Sequence, residues 1–352
     1  MNIKHILFRI THWETWSFQV KYIPLAPFWL WYCLRSRSLW FFTPSNPTLT
    51  FGGFEGESKK EMYEQLPAGA YPATIYISPG EKFSCLEERV KRTFSFPVAA
   101  KPDVGMMGFL FRKISNFEEL KAYHEKMPVD YLIQEHIDLP IEVSVFYYRY
   151  PGESTGTITG FLRKESLSVT GDGRSSLLEL MLAYPRVRYR IGEMKAKHKD
   201  KLNEVLPPGQ IFPLSQALNL SRGGKMVSLK HEKDDRLTAV FDAISRHAKH
   251  FYYGRYDVKC SSIEDLKEGR NFSILEYNGS GAEPHHIYGD NKTLLQAYRI
   301  LMHHWKALYT ISRINYRNGV PYWNFKEGWD FLKNAKKHFR MLKKLDTEFP
   351  TS

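Results

Sequence analysis

The stretch SILEYNGSGAEPHH, residues 273–286, runs apolar like a buried strand and then places Glu276 and Asn278 two positions apart, just ahead of a glycine-rich turn. Side chains at i and i+2 of a strand share a face, so a carboxylate and a carboxamide converge on one spot. Oxygen ligands of this kind suit a hard cation. Mg²⁺ takes one or two carboxylates, an occasional amide oxygen and the phosphates of a nucleotide. By itself Glu-x-Asn also reads as a polar pair on a solvent-facing strand, so the other chemistry-bearing segments decide.

Upstream, YGRYDVK sets Asp257 on a strand beside Arg255, and three oxygen ligands on adjacent strands make a two-cation platform for triphosphate chemistry. FPVAAKPDVGMMGF, residues 96–109, ends an apolar strand in Lys101 and follows it with Gly105 and Gly108. That combination offers a cation and a loop whose backbone N–H groups can close over phosphates, or else an ordinary glycine turn. In LIQEHIDLPIEVSVF an apolar strand reaches Glu135 and a second strand opens at Glu142. This suits an adenine read by one carboxylate and a backbone edge, with ribose hydroxyls taken by the other carboxylate; a surface hairpin would look similar.

The elements that must position these residues alternate. SKKEMYEQL reads as a capped helix, ATIYIS as a strand, SCLEERVKRTF as a helix and FPVAAKP as a strand. The helix NFEELKAYHEKM leads to the strands DYLIQEHI, IEVSVFYYRY and GTITGFLRK. A turn and helix in GDGRSSLLELMLAY, an amphipathic helix in LTAVFDAISRHAKHF, the strands RYDVKCSS and FSILEYN, and final helices from near Lys292 complete the pattern. The fold class is mixed α and β.

The 352 residues, 43% hydrophobic and 25% charged, are those of a globular chain and exclude disorder. Three distant cysteines, Cys33, Cys85 and Cys260, fit neither a disulfide framework nor a zinc knuckle and point to a reducing cytoplasm. The N-terminus breaks its apolar run with an arginine and reads as no secretory signal. The net charge of +12 draws attention to two regions. YIPLAPFWLWYCLRSRSLWFF holds twelve apolar residues, 23–34, followed by Arg35 and Arg37, and is short of the roughly 20 residues that span a bilayer. In NFKEGWDFLKNAKKHFRMLKKLD, Phe325, Trp329, Leu332, Ala335, Phe339, Leu342 and Leu345 recur at helical spacing beside lysines. Such a stripe suits a membrane interface or a helix packed on its own protein.

In their order these pieces resemble the ATP-grasp superfamily, and within it the carboxylate–amine ligases such as D-alanine:D-alanine ligase, glutathione synthetase and the ATP-grasp part of cyanophycin synthetase. The resemblance covers roughly residues 59–290. It implies an α/β (α+β) ATP-grasp fold with two lobes clasping ATP: a short aromatic-rich N-terminal segment (1–58), a first lobe (59–136), a second lobe with the metal site (137–310) and a basic helical tail (311–352). It further implies that Lys59 and Lys101 contact phosphates under the Gly105 and Gly108 loop and that Glu135 accepts from the adenine amino group. The backbone at His136 and Ile137 would meet the ring edge, and Glu142 would hold the ribose. SVTGDGRSSLLEL and LNLSRGG look like segments of cyanophycin synthetase, which makes Lys164 and Arg222 candidate phosphate or substrate contacts. Asp257, Glu276 and Asn278 match metal ligands for two Mg²⁺ ions, with Mn²⁺ able to substitute, and Arg255 matches an oxyanion-stabilising arginine.

The expected reaction is activation of a carboxylate as an acyl phosphate by ATP, then displacement by an amine, on small-molecule or lipid-linked substrates. The expected setting is the cytoplasm, with peripheral contact at the inner face of a membrane as one use of the aromatic segment and basic tail. No nucleic-acid partner is expected. A phosphotransferase on the same fold acting on a polyanionic hydroxyl substrate, and an ATP-binding membrane-associated protein without turnover, are the alternatives. Where the family usually carries a full α/β domain before the first lysine, only about 58 residues precede Lys59 here. The turn GSGAEPHH also departs from the family's proline-containing turn, which leaves His285 and His286 as candidates to face substrate.

Overall fold

The computed structural model describes residues 13–188, 191–214, 224–290 and 292–349. Arg222, one of the candidate contacts, lies outside the described residues. The chain forms two compact units, one of Met1–Phe161 with Leu229–Ser352 and one of Leu162–Ser228.

In the larger unit, β1 (Thr74–Ile77), β2 (Val98–Pro102), β3 (Arg112–Ile114) and β4 (Tyr131–Glu135) form an antiparallel sheet in the order β1-β4-β2-β3. Helices Phe83–Thr93 and Phe117–Lys126 are amphipathic and bury Leu86, Val90, Leu120 and Tyr123 against it. Asn116 begins the second of these helices by accepting from the Glu119 amide, the usual way to satisfy an orphan N–H of the first turn. Then come β5 (Ile141–Tyr148) and β6 (Thr157–Glu165), the latter running into the smaller unit. There β7 (Ser168–Thr170) pairs with β8 (Ile211–Pro213), and β9 (Lys225–Ser228) pairs with the end of β6. These strands and helix Leu177–Ala183, opened by a Ser176–Glu179 capping box, enclose a small core of Leu167, Leu177, Met181 and Leu206.

Back in the larger unit, helix Asp235–His247 leads to β10 (Tyr253–Cys260) and β11 (Phe272–Asn278), and the second sheet runs β11-β10-β5-β6-β9. Its two faces follow the period of a strand. Val143, Val145, Tyr256 and Val258 point into a core shared with Leu132 of the first sheet and Phe241 of the helix. Phe146, Tyr148 and Tyr253 point the other way, into an aromatic layer made by Trp40, Phe41, Phe42 and Phe51 and by helix Leu294–Arg317.

The aromatic N-terminal segment is therefore partly structural. Asn46, completely buried, holds it in place: Nδ2 donates to the carbonyls of Gly52 (3.1 Å) and Tyr253 (2.9 Å), and Oδ1 accepts from the amides of Tyr252 and Tyr253 and the Tyr277 hydroxyl. A backbone clasp follows, in which the Ser280 and Gly281 amides donate to Gly52 and Gly53 carbonyls, both at 3.1 Å. Glycines make it possible. Gly52 and Gly53 have φ of +66° and +69°, and a Cβ on Gly53 would stand 2.9 Å from Gly279 Cα. The stripe of the C-terminal helix Phe325–Glu348 resolves toward packing: Ala335, Phe339 and Leu342 are buried against the first sheet's helices, Leu332 packs on the aromatic layer, and only its start, Phe325 and Trp329, stays exposed. No described helix is long and apolar enough to cross a membrane.

Candidate active site

The face of the second sheet that carries the aromatic layer at one end carries charge along the rest. In the β10–β11 ladder Arg255 stands opposite Asn278 and Asp257 opposite Glu276, so the four side chains share one face of two neighbouring strands. In the β10–β5 ladder Lys259 stands opposite Glu142, which continues the row.

A plain strand would put Ile274 on the face of Glu276, yet Ile274 is in the core. A bulge resolves the conflict. Asp257 pairs with Glu276 while its neighbour Val258 pairs with Ile274, which leaves Leu275 as the extra residue. Its carbonyl accepts from the Tyr63 hydroxyl (2.5 Å) and from Lys101 Nζ (3.3 Å), and Lys101 Nζ also lies 3.0 Å from Tyr63 Oη. Lys101 sits on β2 opposite Leu132, so this contact joins the first sheet to the acidic strand of the second. Burial pulls the Lys101 ammonium down to about 8, against the opposing pull of Glu276. Burial also raises the carboxyl of Glu57, and Glu276 adds to the rise.

Lys59 opens the short helix Lys59–Tyr63 under the Ser58 cap, and its Nζ reaches the carbonyls of Asp103 (3.2 Å) and Gly105 (3.4 Å). The first lysine thus rests on the glycine loop that follows the second. Met107, Gly108 and Leu110 in that loop all take positive φ, Gly108 at +70°. At the far end of β4, Glu135 is exposed and its amide is tied to Ala73 (3.0 Å). The Ile137 carbonyl accepts from Lys259 Nζ at 2.8 Å. His136 is held below the ordinary histidine value by burial, then by Lys113 and Lys259.

Arg255 grips Asp257 through a two-pronged pair, Nε–Oδ1 and Nη2–Oδ2 both at 3.2 Å, and both residues are buried. Its Nη1 donates to the Glu283 carbonyl and meets His285 Nε2, each at 3.1 Å. The two adjacent histidines differ. His285 belongs to the arginine, whereas His286 is wedged at Gly160 and beside Phe146 and His304, with its pKa pushed down to about 3 mainly by burial. The Glu283 carboxylate accepts from the hydroxyls of Tyr22 and Tyr288, both at 2.7 Å.

The structure brings Lys59, Lys101, Gly105 and Gly108 into one neighbourhood, links Lys101 to the strand of Glu276 and Asn278, and sets Arg255 and Asp257 across from them. His136, Ile137 and Glu142 gather about Lys259 at the end of that row, whereas Glu135 ends β4 of the first sheet with an exposed side chain. Lys164, buried on β6 opposite Met226, belongs to the smaller unit. Tyr63, Glu57, Lys259 and the Leu275 bulge were not foreseen. Glu57 and Tyr63 lie two before and four after Lys59, a proximity that could have drawn attention to them.

Among the described residues no group of three or more His, Cys, Asp or Glu side chains could hold a metal. The available set is two carboxylates and a carboxamide, which suits an ion completed by phosphate oxygens and water. Asn278 is compatible with that role: its Nδ2 is buried with no hydrogen-bond partner among the described residues, so no bond at that end holds the amide in its present orientation.

The described residues thus form a mixed α and β protein with two larger sheets, a two-stranded antiparallel ribbon and a charged row on the second sheet. No family model matches it, and no curated protein matches its sequence. Among solved structures it is similar to a bifunctional glutathione synthetase from Pasteurella multocida (14% identity, 69% of this chain and 35% of that one, TM-score 0.44). It is also similar to a D-alanine–D-alanine ligase from Bacillus anthracis (15% identity, 74% and 69%, TM-score 0.41) and to the VanG D-Ala:D-Ser ligase from Enterococcus faecalis (11% identity, 68% and 57%, TM-score 0.38). The chain spans about a third of the length of the first.

Proposed function

We propose that the protein is an ATP-grasp enzyme that uses ATP and Mg²⁺ to activate a carboxylate as an acyl phosphate and joins it to an amine in the cytoplasm. The observation that carries this reading is the pairing of Asp257 with Glu276 and of Arg255 with Asn278, one lysine contact away from a glycine loop. Lys59 and Lys101 bind phosphate oxygens beneath the Gly105–Gly108 loop. Glu135 and the backbone of His136 and Ile137 take the adenine edge, and Glu142 the ribose. Asp257, Glu276 and Asn278 would hold magnesium, which supplies charge neutralisation at the transferring phosphoryl group. Arg255 faces the oxyanion of the tetrahedral step, and its fork to Asp257 fixes the guanidinium before substrate arrives. Lys164 and Arg222 are assigned to phosphate or substrate contacts. No Ser-His-Asp type arrangement is invoked, because positioning and fixed charge do most of the work in such transfers.

A second reading, a phosphotransferase acting on a polyanionic hydroxyl substrate, draws support from a basic cleft lined by Lys230, Lys292 and Arg299 with Asp290 and Gln296. One experiment separates the two. A library of carboxylic acids is incubated with ATP, Mg²⁺ and hydroxylamine. A ligase yields hydroxamate with ADP and phosphate, whereas a kinase transfers the γ-phosphate to a stable product and yields none.

A further inference from the structure

The helix Ala26–Ser36 is apolar on both sides, and only one side is covered. Leu25, Trp29, Tyr32 and Cys33 face inward, where Trp29 meets Trp305 at 5.1 Å and Tyr32 stacks on Tyr309 at 4.6 Å between ring centres. The opposite stripe, at helical spacing, is Ile23, Leu30, Trp31 and Leu34, exposed by 66, 55, 56 and 73%. A helix that is hydrophobic all round is normally buried all round.

Charge says what covers the open side. Residues 15–54 contain no Asp or Glu, and their cations are Lys21, Arg35 and Arg37. The helix that supports the inner face, Leu294–Arg317, also contains no acidic residue and carries Arg299, Lys306, Arg313 and Arg317. Arg313 Nη1 donates to the Arg35 carbonyl at 3.1 Å, which brings the two sets of cations together at the end of the stripe. Arg35 lies over the Trp31 ring at 5.8 Å. An aliphatic and aromatic stripe with a cluster of cations at its Leu34 end, and its nearest carboxylate, Glu283, tied to the Tyr22 and Tyr288 hydroxyls, is complementary to an anionic lipid surface, with the aromatic ring at headgroup depth and the arginines among the phosphates. Eleven residues of helix reach about 16 Å, roughly half the hydrocarbon thickness, so the helix lies in the interface and does not cross it.

We propose that the stripe Ile23, Leu30, Trp31 and Leu34, with Arg35 and Arg37, is a docking surface for an anionic bilayer. This does not rest on the ligase reading. The test is flotation of the full chain with vesicles of phosphatidylcholine alone or mixed with phosphatidylglycerol, at low and high salt. The expected result is recovery with the mixed vesicles at low salt and loss of most of it with phosphatidylcholine or at high salt. Trp31→Glu/Leu34→Glu alters only exposed positions and should bind the mixed vesicles at least tenfold less with an unchanged melting temperature. Arg35→Gln/Arg37→Gln, which keeps the apolar stripe, should weaken binding by about fivefold per cation and flatten the salt dependence. Absence of flotation with mixed vesicles at low salt, or equal flotation of the Glu variant, overturns the proposal. So does a wild-type dimer in sedimentation equilibrium that Trp31→Glu/Leu34→Glu converts to a monomer, since a second copy would then be what covers the stripe.

Discussion

Asp257 and Glu276 stand opposite each other on neighbouring antiparallel strands, and the bulge at Leu275 begins immediately beside them. Two carboxylates directly across a ladder repel, by up to about 1 kcal/mol at ordinary exposure. Here Arg255 offsets one and Lys101 draws on the other. A cation placed between them would relieve the rest.

Glu276→Gln should therefore leave the fold intact and remove the chemistry. The substitution keeps the shape and takes away one charge of the pair, so the melting temperature should hold or rise slightly. Turnover, read as hydroxamate or ADP, should fall by about two to three orders of magnitude. Full activity in this variant would remove Glu276 from the site.

Lys101 makes a prediction in pH. Its folded value of about 8 lies below the ordinary lysine value of 10.5, so the folded state sheds its proton first and stability from this group rises as pH climbs from about 8 to 10.5. Phosphate affinity should move the other way, falling as pH passes about 8 and the ammonium is lost. Lys101→Met should bind nucleotide about ten- to hundredfold more weakly at neutral pH, show no further fall above pH 8, and unfold at a temperature no lower than wild type. Calorimetric titrations from pH 6.5 to 9.5 on both proteins check it, and parallel pH curves would contradict it.

Asn46 makes five hydrogen bonds at zero exposure. Asn46→Ala strands buried backbone groups on both sides and should cost about 3 kcal/mol or more. Asn46→Asp keeps the size and loses both donors, and should be little better. Urea unfolding of the two variants measures this; a loss under about 1 kcal/mol would mean the segment is held by its aromatic rings alone.

Gly53→Ala should separate stability from activity. The new methyl would press on the backbone of Gly279, the residue after Asn278, and the φ of +69° disfavours any side chain. A cost of about 1–2 kcal/mol is expected, with a larger proportional loss of turnover because the adjoining turn must shift. Activity retained in proportion to folded protein would show that Asn278 tolerates the displacement.

Much of this architecture was legible because strands announce themselves by alternation: β2, β4, β5, β6, β10 and β11 follow the apolar runs, and the helices begin at Ser58, Asn116, Ser176 and Asp234. That Lys59, Lys101, Asp257, Glu276 and Asn278 belong to one site was an expectation of the family resemblance; what the structure adds is the pairing of Asp257 with Glu276 and the contact of Lys101 with the Leu275 carbonyl. The short strands β3, β7, β8 and β9 could not be read this way, since unlike β1, which sits in the apolar run ATIYIS, their three or four residues show neither a period nor an apolar run. Helix Ala26–Ser36 escaped because it is apolar on both faces. The bulge escaped because pairing register is a property of two strands, and neither SILEYN nor RYDVK alone shows which residue is left over. Asn46 gave no signal at all: a single asparagine in TPSNPT reads as a turn.

The clasp between the two glycine segments also sets a timetable. Asn46 and Tyr253 are 207 residues apart, so the aromatic layer lacks its anchor on the second sheet until most of the chain exists. At about 5–20 residues per second of synthesis, that is an interval of about 10–40 s in which Phe41, Phe42 and Phe51 have one another, Trp29 and Trp40 to pack on but not the sheet face of Phe146 and Tyr253 that completes the layer. Protein made by refolding from denaturant, where both ends are present at once, should therefore expose this layer for a shorter time than a chain stalled before Tyr253.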